Sequence, residues 1–162
     1  MKKILSMILC VALVLMLLPT AALAVETFAA SDEGIEFIKK FEGFRPEPYE
    51  DRGKWYVGYG TTCDPADYPV PLTEEEAELL LRQSLVSKEN VVNDLLRKYD
   101  ISITQYQFDA LLSFTYTLGS QWINPEYRLC SYLIRGIHHY DEVEVVNAIA
   151  TWCHQGTTVV NH

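Results

Sequence analysis

Glu42 and Asp51 are the residues on which a chemistry can be argued. Eight residues separate them: Glu42 closes an apolar stretch ending at Gly43, and Asp51 stands just ahead of Lys54-Trp55-Tyr56-Val57-Gly58-Tyr59-Gly60. Cleaving a glycosidic bond commonly takes one carboxyl that donates a proton and one ionised carboxylate facing it across the bond. Two acids in an acidic chain are, on frequency alone, solvated surface groups, so context must distinguish this pair. A helix end and apolar neighbours oppose charge on Glu42, whereas a polar turn containing Arg52 supports an ionised Asp51. Such opposed environments separate acid from base. Glu42 is the expected proton donor, and Asp51 is expected to activate water or steady an oxocarbenium ion. Glu47 and Glu50 are rivals, but their Pro-rich segment gives neither a reason to hold its proton.

Holding these two groups requires a helix, a turn and a strand. Ser31 can cap a helix with Asp32 and Glu33 in its first turn, Ile35, Ile38 and Phe41 on one face, and Lys39 and Lys40 near a stop at Gly43. Pro46 and Pro48 favour extended chain to Glu50. Asp51-Arg52-Gly53 reads as a turn into a small sheet from about Trp55 to Thr61, in which Gly58 and Gly60 permit a bend or close approach. Thr61 to Pro71 reads as loop. The capping box at Thr73 and Glu76 opens a long helix with Ala77, Leu80, Leu81, Ser84, Val91, Val92 and Leu95 in a broken stripe, interrupted near Lys88-Glu89-Asn90. A second box, Thr104 with Gln107, opens the central core helix through Phe108, Leu111, Leu112, Thr115 and Leu118 to Gly119. Asn124-Pro125 marks another helix start and Gly136 its stop. Asp141 and Glu144 open a last helix through Val145, Val146 and Ile149 to Trp152. Tyr106, Phe108, Phe114 and Tyr116 could stack on sugars, and read mostly as core. The pattern is α+β and predominantly helical.

The chain has 162 residues. Its start, Met1-Lys2-Lys3, an apolar run from Ile4 to Leu18, Pro19 and then Ala22-Leu23-Ala24, has the layout of a secretory signal peptide over 1–24, preferred to a retained anchor. Residues 25–30 form a short leader and 31–162 one domain, expected to be monomeric, secreted or wall-associated, with no stable membrane span. Thirteen Lys and Arg against 22 Asp and Glu give a net charge of −9, and removing Lys2 and Lys3 makes the remainder more acidic still. Nucleic-acid binding, which needs phosphate neutralisation, is excluded as a reading. Cys63, Cys130 and Cys153 follow the signal, and an exported chain can pair two, with Cys130 and Cys153 preferred because both lie in the carboxy-terminal half. His138, His139, His154 and His162 have no ligand-like spacing, so no metal and no cofactor are expected.

Phe41-Glu42-Gly43-Phe44-Arg45, then Tyr49, Asp51 and Gly53 through Thr61, resembles the catalytic segment of phage-type lysozymes, a glycoside hydrolase family that includes endolysins. Leu72 to Ala77 and Thr104 to Phe114 are similar to that family's helix opening and core helix, so the resemblance runs from about Glu33 to the end. It implies a two-lobed lysozyme-like fold and a muramidase cutting the β-1,4 bond between N-acetylmuramic acid and N-acetylglucosamine of peptidoglycan. It also implies Glu42 as general acid and Asp51 as second carboxylate. The family's water-holding threonine is absent: Tyr56 takes its place if one residue is deleted after Asp51, and Val57 if none is. The family's usual inverting course and a retaining one therefore both stay open. Thr61 stands where many relatives have histidine, and Thr117-Leu118-Gly119 where they have Asn before a hydrophobic residue and Gly; Gly60, Thr61 and Thr117 are expected sugar contacts. A helix-end hydroxyl bonded to its own backbone is an equal reading of Thr117. The resemblance further implies a final helix beyond Asn161-His162, leaving a fragment or a protein without that helix as the two readings. A catalytically weakened peptidoglycan-binding module is the alternative function. Bacterial envelopes are anionic and repel so acidic a protein at long range, so attraction must arise in the cleft.

Overall fold

The computed structural model describes residues 27 to 153, the side chain of Cys153 excepted. The expected signal peptide, the start of the leader, His154, His162 and the chain end lie outside the described residues. In order the elements are α1 (Asp32–Glu42), β1 (Arg45–Asp51), β2 (Lys54–Gly58), β3 (Thr61–Thr62), α2 (Glu74–Lys98), α3 (Gln105–Leu118), α4 (Arg128–Arg135) and α5 (Glu142–Cys153). Short 3-10 turns occupy Pro65–Asp67, Gln121–Ile123 and Ile137–His139. The result is a predominantly helical α+β fold, with an antiparallel sheet in the order β1-β2-β3 seated beside the helices.

Helix α3 is central. Phe108, Leu111 and Leu112 pack with Ile35 and Ile38 of α1, Leu81, Leu85 and Val92 of α2, Leu129 and Leu133 of α4, and Ala148 and Trp152 of α5. Thr115 is buried on α3 without cost because its hydroxyl donates to the Leu111 carbonyl (2.7 Å) and accepts from Trp122 Nε1 (3.1 Å). Both predicted capping boxes form, at Thr73 with Glu76 and at Thr104 with Gln107, and α5 opens on a reciprocal Asp141 and Glu144 pair.

Several expectations change. The sheet starts at Arg45, because Pro46 and Pro48 fall on edge strand β1, where a missing donor is tolerated, and the register shifts between Arg45 and Tyr49. Residues Thr61 and Thr62 extend the sheet instead of opening a loop. Helix α2 runs through Lys88-Glu89-Asn90 unbroken: its polar residues bind the amino-terminal segment, Glu89 accepting from Ala30 N (2.9 Å) and the Asn93 amide pairing with both N and O of Phe28 (3.0 and 2.8 Å). Its apolar face is Ala77, Leu81, Leu85, Val92, Leu95 and Leu96, so Ser84 leaves the stripe. Helix α4 starts at Arg128, since the Asn124 side chain turns the chain by accepting from Glu126 N (3.0 Å). Phe41 lies 69% exposed against Phe37, one turn too late to reach the core. Cys130 keeps a buried free thiol that donates to the Ile123 carbonyl, and burial pushes its pKa up to about 11. The side chain of Cys153, its expected partner, lies outside the described residues.

Candidate active site

Helix α1 delivers Glu42, and its position is set from its far end. Ser31 caps the helix by accepting from Gly34 N (3.0 Å) while its hydroxyl donates to Asp109 Oδ2 (2.6 Å) on α3. Asp109, 7% exposed, also accepts from Ser31 N (3.1 Å) and Gln105 Nε2 (3.0 Å). A side chain at Gly34 would sit 2.6 Å from the Asp109 carboxyl, so only glycine lets α1 press this closely on α3. Along its length α1 is tied to α2: Lys39 bridges Glu36 (2.7 Å) and Glu78 (2.8 Å), and Arg82 joins Glu78 to Asp32. The Glu36 and Glu78 carboxylates hold the Lys39 ammonium far above its usual range, while Lys39 and then Arg82 hold the Glu78 carboxyl below its own.

The sheet delivers the second carboxylate. Asp51 ends β1 opposite Lys54, joined by a two-residue turn at Arg52 (φ 49°) and Gly53 (φ 79°), both left-handed as a tight hairpin requires. Cross-strand register places Tyr49 opposite Tyr56 and Tyr56 opposite Thr62, so these three share a face, and Asp51 joins it two residues beyond Tyr49. Val57 alternates to the opposite face and is fully buried.

That face and the end of α1 enclose one cleft of about 460 Å³. The sheet supplies Tyr49, Asp51, Tyr56 and Thr62; α1 and α3 supply Glu42, Tyr116 and Thr117; α2 supplies Ser84 and Lys88; Gly60 and Thr61 complete it. Thr117 Oγ1 donates to Glu42 Oε1 (2.9 Å), while Glu42 Oε2 has no hydrogen-bond partner among the described residues. Gly60 (φ 83°) passes so close that a Cβ there would lie 3.4 Å from Glu42 Oε2 and 3.6 Å from the Tyr116 hydroxyl. Burial raises the Tyr116 phenol above its ordinary range, keeping it a donor to the Tyr59 carbonyl (2.8 Å). Burial raises Tyr49 likewise, against the opposing effect of Arg45, whose guanidinium stacks 4.2 Å from its ring.

All six residues singled out from the sequence, Glu42, Asp51, Tyr56, Gly60, Thr61 and Thr117, line this cleft. Of the two residues competing for the threonine place, Tyr56 is in the cleft and Val57 is not. The Thr61 hydroxyl is shut off from solvent without a hydrogen-bond partner, so Thr61 does not present it to the cleft. Thr117 bonds Glu42 and not its own backbone. Glu47 faces a separate groove beside Trp55. Of the four aromatics weighed as sugar contacts or core, Tyr116 packs against the core and reaches the cleft one position past the buried Thr115, whereas Tyr106 is 77% exposed. Ser84 and Lys88 were missed; their spacing of four on α2 marks a shared face, but nothing local shows that the sheet lies opposite it.

The phage lysozyme family profile matches residues 39–161, which include both cleft carboxyls. The endolysin of Acyrthosiphon pisum secondary endosymbiont phage 1 is 33% identical over 90 residues, 55% of this chain. The match spans only 59% of that relative's length. Among solved structures, the endolysin from Escherichia coli O157:H7 phage FAHEc1 superposes with a TM-score of 0.63 at 28% identity, covering 85% of this chain and 86% of that one. The muramidase domain of SpmX from Asticaccaulis excentricus gives 0.58 at 26% identity, covering 75% and 92%. With the profile extending over most of the chain and the same fold in these relatives, the chain belongs to the phage lysozyme family.

Proposed function

We propose that this protein is a lysozyme that hydrolyses the β-1,4 bond between N-acetylmuramic acid and N-acetylglucosamine in peptidoglycan, with Glu42 as general acid and Asp51 as second carboxylate. The observation that carries this reading is the shared cleft, which Glu42 enters from the end of α1 and Asp51 from the tip of the β1-β2 hairpin. The fold neighbours support it, one being an endolysin and another a muramidase domain. Thr117 occupies Glu42 Oε1, leaving Oε2 to protonate the leaving glycosidic oxygen as the bond to the anomeric carbon breaks. Water then adds to that carbon and gives its proton to Asp51, or Asp51 steadies the cation and the water's proton returns to Glu42. Tyr56 stands beside Asp51 on the same sheet face, with its hydroxyl as the group that orients water or a sugar in place of the family's threonine. Gly60 and Thr117 form the sugar-facing rim, and Thr61 lies behind it with its hydroxyl turned from the sugar.

Export follows from the signal-like residues 1–24, and no helix among the described residues is long and apolar enough to cross a membrane. The mass of the mature amino terminus in culture medium tests cleavage after Ala24. The absent threonine favours one second reading, a peptidoglycan-binding module with weak or no turnover. Purified peptidoglycan separates the two. The hydrolase releases reducing ends without new amino groups, and Glu42→Gln stops release while retaining glycan binding. Binding without release by the parent protein establishes the module.

A further inference from the structure

The carboxyl pair leaves a third charge of the cleft without a role. Lys88 is the one basic residue lining the cleft among the described residues, set on α2 one turn beyond Ser84 and half-buried. On the helices, Lys39 is paired with Glu36 and Glu78, Arg82 with Glu78 and Asp32, and Arg97 with Asp94. Lys88 forms no ion pair among the described residues, and the adjacent Glu89 turns away to accept from Ala30 N. An ammonium on a flexible four-carbon stem that lines a cavity is placed to receive an anion from a ligand. In a chain of net charge −9 it also supplies local attraction where the overall field repels an anionic polymer.

We propose that Lys88 is a specificity residue that binds a carboxylate carried on the muramyl sugar, either that of the lactyl group or one on the stem peptide attached to it. This rests on the muramidase reading of the same cleft. The muramyl side group recurs on every second sugar, so one cation at a fixed place in the cleft holds the glycan in a single register. That register decides which of the two alternating β-1,4 bonds meets Glu42. It also distinguishes wall glycan from an uncharged N-acetylglucosamine polymer.

The test measures binding at low ionic strength in the Glu42→Gln background, with and without Lys88→Met. Three probes are used: peptide-bearing glycan strands, strands stripped of peptide with free lactyl carboxylates, and stripped strands with those carboxyls capped as methylamides. Lys88→Met is expected to lower the affinity ratio of charged to capped strands about tenfold, the size of one charge-assisted hydrogen bond at a partly exposed site. Lys88→Arg should keep most of the ratio. A fall with stripped strands assigns the lactyl carboxylate, and a fall with peptide-bearing strands alone assigns the stem peptide. An unchanged ratio for both charged probes, or an equal loss on capped strands, overturns the proposal. Binding is read without turnover, so a parent protein that releases no reducing ends refutes the hydrolase reading and leaves the Lys88 result standing.

Discussion

At its amino end α1 meets α3 through the Ser31 hydroxyl and the Asp109 carboxylate, 2.6 Å apart; at its carboxy end it meets α3 through Glu42 and the Thr117 hydroxyl, 2.9 Å apart. The same two chemical groups make both contacts. Asp109 is buried and takes donors on both oxygens, so its charge is spent on holding two helices together. Glu42 has one oxygen engaged and the other open to a cleft. A carboxylate becomes architecture when its lone pairs are satisfied within the fold, and remains available for chemistry when the fold satisfies only half of them. The rigid end also serves the reactive one, because the Ser31–Asp109 contact helps anchor the helix that carries Glu42.

Substitutions at the two ends should separate these roles. Glu42→Gln is expected to have the largest effect, cutting reducing-end release at least about a hundredfold while shifting unfolding free energy by less than about 0.5 kcal/mol. Retention of most of the parent rate would put the two ends on the same footing. Asp109→Ala reverses the pattern, because it removes the buried carboxylate that accepts from half-buried donors at Ser31 and Gln105. It should cost about 3 kcal/mol in a denaturant titration, with the rate of the folded fraction falling far less. Gly60→Ala sharpens the boundary between the two classes, forcing a side chain into a left-handed backbone and toward Glu42 Oε2. A loss of about 1 to 2 kcal/mol together with a lower rate is expected.

Glu78→Gln probes the tether along the middle of α1 and should cost about 1 kcal/mol. Lys39 and Arg82 depress the folded-state pKa of Glu78, so its stabilisation is present above the ordinary carboxylate range and is lost as pH falls through the depressed value. Melting curves of parent and variant should therefore converge in acid; a gap constant with pH would show that the charge of Glu78 is immaterial. The smallest effect is expected at Thr117→Val, which frees Glu42 Oε1 and removes one exposed hydrogen bond. A change of a few-fold in reducing-end release is expected, corresponding to about 0.5 to 1 kcal/mol.

What was legible in the chain was whatever depends on near neighbours. Ser31, Thr73 and Thr104 as caps, Gly43 and Gly119 as stops, and the apolar faces of α1 and α3 are set by interactions within a few residues and appear as patterns. The failures share a cause. The prolines of β1 discourage a strand unless it lies at an edge, which is a property of the sheet and not of the segment. The polar residues Glu89 and Asn93 look like a break in α2 until the segment from Phe28 to Ala30 is laid against them.

The local sequence determined the two carboxyls and the helix end and turn that carry them, because each follows from backbone periodicity and capping. Tertiary structure alone decided that Ser84, Lys88 and Tyr116 join them, that Tyr56 and not Val57 faces the cleft, and that Asp109 is structural while Glu42 is left half-satisfied. These outcomes depend on which surfaces meet across long stretches of chain, and contact between distant segments is set by the packing of the whole core and not by any window of residues.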